Sequence, residues 1–275
     1  MTAFMEMLSY PFVIYALLGG VFLALCSALL GVNLVLKRLS MLGDGLSHVA
    51  FGSAAVALAV GAAPLKISIP VVIIAAFLLL RISQSGKIRG DAAIALVSSS
   101  ALAVGVTVAT LTTGMNTDIS NYMFGSILAM SKGDTVLAVS VSAVILILYG
   151  VFYQKLFTTT FDEDFAAATG VRVGWYRSLL AVLTAVTVVI GMRMMGALLI
   201  SSIITFPALS AMRVCKRYRS VVCTAALIGI AAFLIGMGLS LFFDTPAGAG
   251  VVLVNLAIFL LLLAVERIRK RPNFP

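Results

Sequence analysis

Along this chain the stretches without a formal charge are far longer than the segments between them. Uncharged windows cover 7–36, 45–65, 67–80, 92–117, 135–154, 178–192, 194–212, 220–243 and 245–265. A hydrocarbon core takes about 20 apolar residues per helical crossing, so each window is a candidate span. Each must be helical, because backbone polar groups in lipid need partners within their own segment. Two windows are short. The first, 67–80, lengthens if Lys66 and Arg81 snorkel outward, and 178–192 lengthens through the uncharged 173–176 beyond Arg177. The pattern predicts an all-α integral membrane protein, a single domain over 1–275 with about nine transmembrane helices (eight to nine). Segment 118–131 is too short to cross and predicts a short helix on the outer side.

Composition removes the competing classes. Apolar residues make up 62% of the chain and charged residues 11%, against about 25% in a soluble domain, which excludes soluble and disordered readings. The first cation is Lys37, so the N-terminal window reads as a retained span rather than a cleaved signal. Cys26, Cys215 and Cys223 have no paired spacing and read as small hydrophobes.

The net charge of +9 would in a soluble protein suggest nucleic acid, but its distribution says otherwise. With nine crossings, one side receives Lys37, Arg38, Arg81, Lys87, Arg89, Lys155, Arg172, Arg177, Arg213, Lys216, Arg217, Arg219, Arg267, Arg269, Lys270 and Arg271. The other receives Lys66, Lys132 and Arg193. The positive-inside rule then predicts an outside N-terminus and a cytoplasmic C-terminus, with lipid and not nucleic acid as the surrounding partner.

An ionisable residue within a span is expensive and marks a site by default. Asp44 and the single histidine, His48, lie four apart in Gly43-Asp44-Gly45-Leu46-Ser47-His48. At helical spacing they share one face. A carboxylate with a neutral imidazole suits a borderline divalent cation such as Zn²⁺, Mn²⁺ or Fe²⁺. Two ligands are too few, so water or a symmetry-related chain must supply the rest. Gly45, Gly52 and Ala59 recur every seven residues and would suit a close dimer seam. The alternative is that Asp44 merely caps a helix, with His48 as its ordinary neighbour. Asp244, before Thr245-Pro246, is an outer-side candidate that also fits a capped turn.

Three of the ten acids crowd the inner connection Phe161-Asp162-Glu163-Asp164-Phe165-Ala166-Ala167-Ala168-Thr169-Gly170. Acids first, alanines next and a glycine stop predict a short capped helix, with Phe161 and Phe165 as aromatic knobs inside a charged collar. Such a helix suits a groove on a soluble partner, or it is simply a solvated connector.

These motifs resemble the membrane permease subunits of the zinc/manganese/iron uptake family of ABC transporters. The likeness runs nearly end to end. It takes in the stretch from Lys37-Arg38 to Ser47-His48, 93–105 with Ser98-Ser99-Ser100, Tyr122-Met123-Phe124-Gly125-Ser126-Ile127-Leu128 and the 162–170 connection. Later come Gly196-Ala197-Leu198-Leu199-Ile200 leading to Pro207-Ala208, and Asp244-Thr245-Pro246-Ala247-Gly248. Gly45 stands where alanine is usual, and Phe51-Gly52 where a Pro-Gly step is common. The resemblance implies a homodimeric pore of the type II ABC importer kind in the plasma membrane. An extracytoplasmic metal-binding protein would feed it, and two cytoplasmic ATPase subunits that hold the ATP would drive it. It implies no intrinsic cofactor, a transported divalent metal passing Asp44 and His48, and a coupling helix at 161–170 built on Phe161, Asp162, Glu163, Asp164, Phe165, Ala166 and Gly170.

The chain has no Gly-x-x-x-x-Gly-Lys-Ser/Thr run with which to hydrolyse ATP itself. A self-contained ion-coupled secondary transporter or channel is the alternative, although such proteins usually carry several ionisable residues deep in their spans. One histidine cannot build the His-Glu-x-x-His of an intramembrane zinc protease.

Overall fold

The computed structural model describes residues 11–84, 90–112, 125, 130–243 and 245–270. Among them the regular elements are helices throughout: α1 (Pro11–Leu36), α2 (Leu42–Ala59), α3 (Pro64–Gln84), α4 (Gly90–Leu111), α5 (Lys132–Val151), α6 (Tyr153–Phe161), α7 (Glu163–Ala168), α8 (Val173–Met195), α9 (Ala197–Val214), α10 (Tyr218–Phe243) and α11 (Ala247–Lys270). Nine of these, all but α6 and α7, are long and apolar enough to cross a membrane. The outer-side helix expected at 118–131 falls outside the described residues apart from Gly125, Met130 and Ser131, and Asp244 also lies outside them.

Helix ends take in the flanking charges that the windows left out. α2 begins at Leu42, so Asp44 joins its first turn. α8 spans Arg177 and Arg193, which lengthens the short sixth window into a full crossing. Arg193 then pairs with Asp134 of α5 at 3.4 Å, and Asp134 completes a capping box with Ser131 at the start of α5. The fifth span stops at Val151 instead of continuing to 154, and the chain turns into the amphipathic α6, which the charge pattern did not separate from its neighbours.

Two helices form the inner layer. α1 packs against α5, α8, α9 and α10, while α2 is wedged among α3, α4, α8 and α9. α2 and α8 are largely buried, whereas α11 and α4 lie outermost and leave most of their surface uncovered by the rest of the chain. Between α1 and α2 the chain reverses in five residues. Arg38 takes a left-handed conformation (φ 59°), and Arg38 N and Leu39 N donate to the carbonyls of Val35 and Leu34.

Close backbone approach sets the crossings. A Cβ on Gly31 of α1 would lie 1.9 Å from the Ile204 carbonyl oxygen of α9, and one on Gly52 of α2 would lie 2.4 Å from the Ala101 carbonyl oxygen of α4. A Cβ on Gly45 would lie 2.6 Å from the Ile94 Cγ2 methyl of α4, a side-chain contact. This corrects the expected dimer seam on Gly45 and Gly52: that face is buried within one chain against α4, so a second copy has no access to it.

Gly52→Ala must push α4 away from α2, at a cost of about 1–3 kcal/mol from overpacking. Gly238→Ala, where a Cβ meets nothing within 4 Å, leaves stability unchanged or slightly raised. Thermal unfolding of the two variants in detergent checks this pair.

Candidate functional site

α2 is buried almost all round. Between Leu42 and Ala55 only Asp44, His48 and Ser53 escape burial, and Ser53 is engaged on another face with Ser68 of α3 at 3.0 Å. One open stripe therefore remains, and it carries both ionisable residues of the helix. His48 Nε2 lies 3.7 Å from Asp44 Oδ2, with the imidazole 23% and the carboxylate 42% exposed. Both can thus be reached from outside the chain while their backbone is held rigidly. At 1.5 Å rise per residue they lie within roughly 10 Å of the α2 start, on the basic side of the protein.

The capping alternative does not match this geometry. The residue before α2 is Met41, with no side-chain cap, and Asp44 is the third residue of the helix. Ser47 Oγ donates to the Asp44 carbonyl and leaves the carboxylate alone. Positioned in the first turn, that carboxylate is favoured by the helix dipole and free to face a cation. Among the described residues no group of three or more His, Cys, Asp or Glu side chains converges. The spacing does bring Asp44 and His48 side by side, as a pair and not as part of a larger donor cluster among the described residues. Thr205 of α9 lies near the same mouth, its hydroxyl 3.4 Å from the Ser40 carbonyl.

The acidic connection resolves into two helices broken at Asp162. Asp162 caps α7 by accepting from Phe165 N at 2.9 Å, and Gly170 (φ 80°) closes the far end, where Gly170 N and Val171 N donate to the Ala167 and Ala166 carbonyls. Ala166 is buried, and Phe165 stands 59% exposed. Phe161 ends α6, exposed on one side and packed on the other against Phe157 and Tyr218. The charged collar is only partly collar. Glu163, its side chain still partly exposed, lies 2.7 Å from the Lys37 ammonium just beyond the end of α1 and is also bonded to Arg177 of α8, which leaves Asp164 as the outward acid of α7.

Beside these ion pairs lies a polar cluster that counting charges could not find. Asn33, fully buried one turn from Lys37, donates to the Tyr149 hydroxyl at 2.9 Å. Its carbonyl oxygen accepts from the Tyr218 hydroxyl at 2.9 Å and from Thr160 at 3.1 Å. Tyr149 and Tyr218 are 3.1 Å apart, hydroxyl to hydroxyl. One amide thereby joins α1, α5, α6 and α10 directly above α7. The usable signal was an asparagine set in an otherwise apolar run, Gly31-Val32-Asn33-Leu34-Val35.

Comparison with known proteins identifies the architecture. The family model described as the ABC 3 transport family matches residues 9–266. The chain belongs to this family. Among curated relatives it is 30% identical to the high-affinity zinc uptake system membrane protein ZnuB of Haemophilus influenzae, covering 90% of this chain and 95% of that protein. It is 27% identical to the manganese transport system membrane protein MntC of Halalkalibacterium halodurans, covering 94% and 88%. The solved PsaBC of Streptococcus pneumoniae, in complex with Fab, superposes with a TM-score of 0.86 at 28% identity, over 96% of this chain and 95% of that one. A metal-chelate type ABC transporter in an inward-facing conformation shares the fold, with a TM-score of 0.71 at 17% identity, over 92% and 85%. The chain is accordingly a multi-pass ABC permease of the plasma membrane.

The Asn33 cluster carries a stability prediction. Asn33→Leu takes the shared amide partner from two tyrosine hydroxyls and Thr160, which keep only their bonds to each other and to the Leu156 carbonyl, and costs about 1–2 kcal/mol, whereas Tyr149→Phe removes one hydroxyl and costs less than about 1 kcal/mol. Equal shifts of the thermal midpoint in detergent would show that the amide does not organise the cluster.

Proposed function

We propose that this chain is the pore-forming subunit of an ATP-driven importer of a divalent first-row metal ion, working as a homodimer by alternating access. The observation that carries the reading is the single open stripe of α2. Over its first four turns this largely buried helix leaves open, on one face, a carboxylate and an imidazole 3.7 Å apart, a donor pair suited to Mn²⁺ or Zn²⁺. The relatives' names, a zinc uptake protein and manganese transport proteins, favour those two ions over others. Fe²⁺ fits the same donors and belongs in the test.

The partners follow from what one chain lacks. Two ligands fall short of the four to six that such ions take, so a second copy facing the first across an axis would double the set. The basic side is the cytoplasmic one by the positive-inside rule. There α7 and the exposed Phe161 and Phe165 offer a knob for a cytoplasmic ATPase dimer. Glu163, bonded to α1 and α8, would carry the push of nucleotide binding into the spans. An extracytoplasmic metal-binding protein would deliver the ion on the opposite face, without ATP or a resident cofactor in this chain.

Asp44→Ala and His48→Ala are each expected to abolish uptake of radioactive Mn²⁺ or Zn²⁺ into cells, with Fe²⁺ run in parallel, while the permease still assembles with its ATPase. Normal uptake in both variants would remove the pair from the mechanism. Uptake by the purified chain alone, in liposomes without the ATPase, would favour a self-contained secondary transporter instead.

Phe165→Ala addresses the coupling role. It should lower the amount of ATPase subunit recovered with the permease several-fold and leave the permease's own thermal midpoint unchanged, because the ring is more than half exposed. Undiminished recovery would place the ATPase seat elsewhere.

A further inference from the structure

We infer that the basic side of this permease holds an anionic phospholipid in a groove between α5–α6 and α10, with the phosphate gripped by Lys155 and Arg219. The inference does not depend on which ion is carried. α5 and α10 both pack along α1 and meet each other through Tyr149 and Tyr218 at one end, not along their lengths. Where they part, a groove of about 600 Å³ opens, lined by Val151, Tyr153, Lys155, Arg219, Val222 and Cys223.

Its two halves differ in chemistry. At the rim stand two cations, Lys155 and Arg219, in the lining that also includes Tyr153. No acid lines the groove, and neither cation forms a salt bridge among the described residues. The floor is apolar and open, with Val151 70% exposed. It continues along the spans over Ile147 and Val144 of α5 and Leu227 of α10, all large, apolar and exposed. A phosphate at the rim and acyl chains on the floor use both halves, whereas a water-soluble anion would use only one.

The depth is right for a headgroup. On the other side of α6, Lys155 also lines a second cavity of about 300 Å³ with Arg172, Trp175 and Tyr176. Trp175 packs edge-on against Tyr176 and Phe152 while remaining half exposed. Tryptophan and tyrosine gather where hydrocarbon meets headgroups, so Lys155 and Arg219 lie at the level of lipid phosphates on the leaflet that is rich in anionic lipid.

The test is retention of lipid by the full-length permease. The protein is placed in nanodiscs of equal parts phosphatidylcholine and phosphatidylglycerol, released into mild detergent and weighed by native mass spectrometry. We expect phosphatidylglycerol to be retained in preference to phosphatidylcholine. Lys155→Gln and Arg219→Gln should each lower that retention about fivefold, the worth of one cation at an anionic surface. Lys155→Arg and Arg219→Lys should largely keep it. Arg81→Gln, which removes a charge elsewhere on the same side, should not change it. Unchanged retention in the Lys155→Gln/Arg219→Gln double variant would overturn the proposal, as would an equal loss in Arg81→Gln. Displacement of the lipid by inorganic phosphate would show an anion site with no lipid specificity and would also overturn it. If the double variant loses the ATPase subunit but keeps its phosphatidylglycerol, the cations form a protein seat and the lipid reading falls.

Discussion

In hydrocarbon a polar group without a partner has no water to fall back on, and this constraint arranges nearly every polar atom in the molecule. Most hydroxyls within the spans answer it locally by bonding back one turn along their own helix, as Ser27 does to Leu23, Thr184 to Leu180 and Thr187 to Leu183. Asn33 answers it at long range and draws two tyrosines and a threonine from three other helices onto one amide. Among the described residues four buried atoms, Ser142 Oγ, Arg177 Nε, Ser210 Oγ and Asn255 Oδ1, have no partner and are sealed inside. Asp44 and His48 differ from them: they sit on a largely buried helix, yet their polar atoms are exposed beside one another. In the proposed function, binding a cation offsets the cost of leaving that pair open.

The same constraint gives the molecule a mechanical continuity. Glu163 of α7 is bonded to Lys37 at the end of α1, and Asn33 lies one turn further up that helix, joined to α5, α6 and α10. Five residues beyond α1 the chain enters α2 through a tight left-handed turn, with Asp44 in the first turn of the new helix. A displacement of α7 therefore acts on the helix pair that carries Asp44 and His48 through ion pairs, a buried amide and a short stiff turn. No long flexible segment intervenes to absorb it. In the proposed cycle this is the path by which work done on the cytoplasmic side reaches the ion.

Much of this was legible in the chain because lipid simplifies the rules. Uncharged windows located all nine spans, since a long apolar run has one physical solution in a bilayer. The extensions through Arg177 and past Lys66 and Arg81 hold, but the outer end of the sixth span was misjudged, because Arg193 also belongs to α8 and its ion pair with Asp134 is invisible to a charge-free window. The Asp44/His48 pair followed from its spacing and from the expense of charge in a span. Its exposure did not, because which face of α2 stays open depends on four neighbouring helices. The small-residue face was read for the wrong partner: glycine spacing announces close approach but not whose backbone approaches, and α4 took the place assigned to a second copy. The Asn33 cluster was missed because it is neutral, and its four members are separated by up to 185 residues.

The incompleteness of the donor set bears on how cargo could be released. A closed site with four protein ligands holds its ion tightly, as structural zinc sites do, and suits storage better than passage. In the proposed homodimer, two donors on each chain would behave differently, because the shell would be complete only when the copies approach. Swinging a site from almost full to almost empty takes a differential of about 5.5 kcal/mol between the two states. Removing half of a metal's charged and imidazole ligands is a direct way to supply it, and no side chain need be protonated. On this account the transported ion is held by the relative position of two rigid helices rather than by either helix alone. The proposed cycle asks α2 to be rigid, and the close contacts at Gly43, Gly45 and Gly52 hold it while Asp44 and His48 stay accessible on one face.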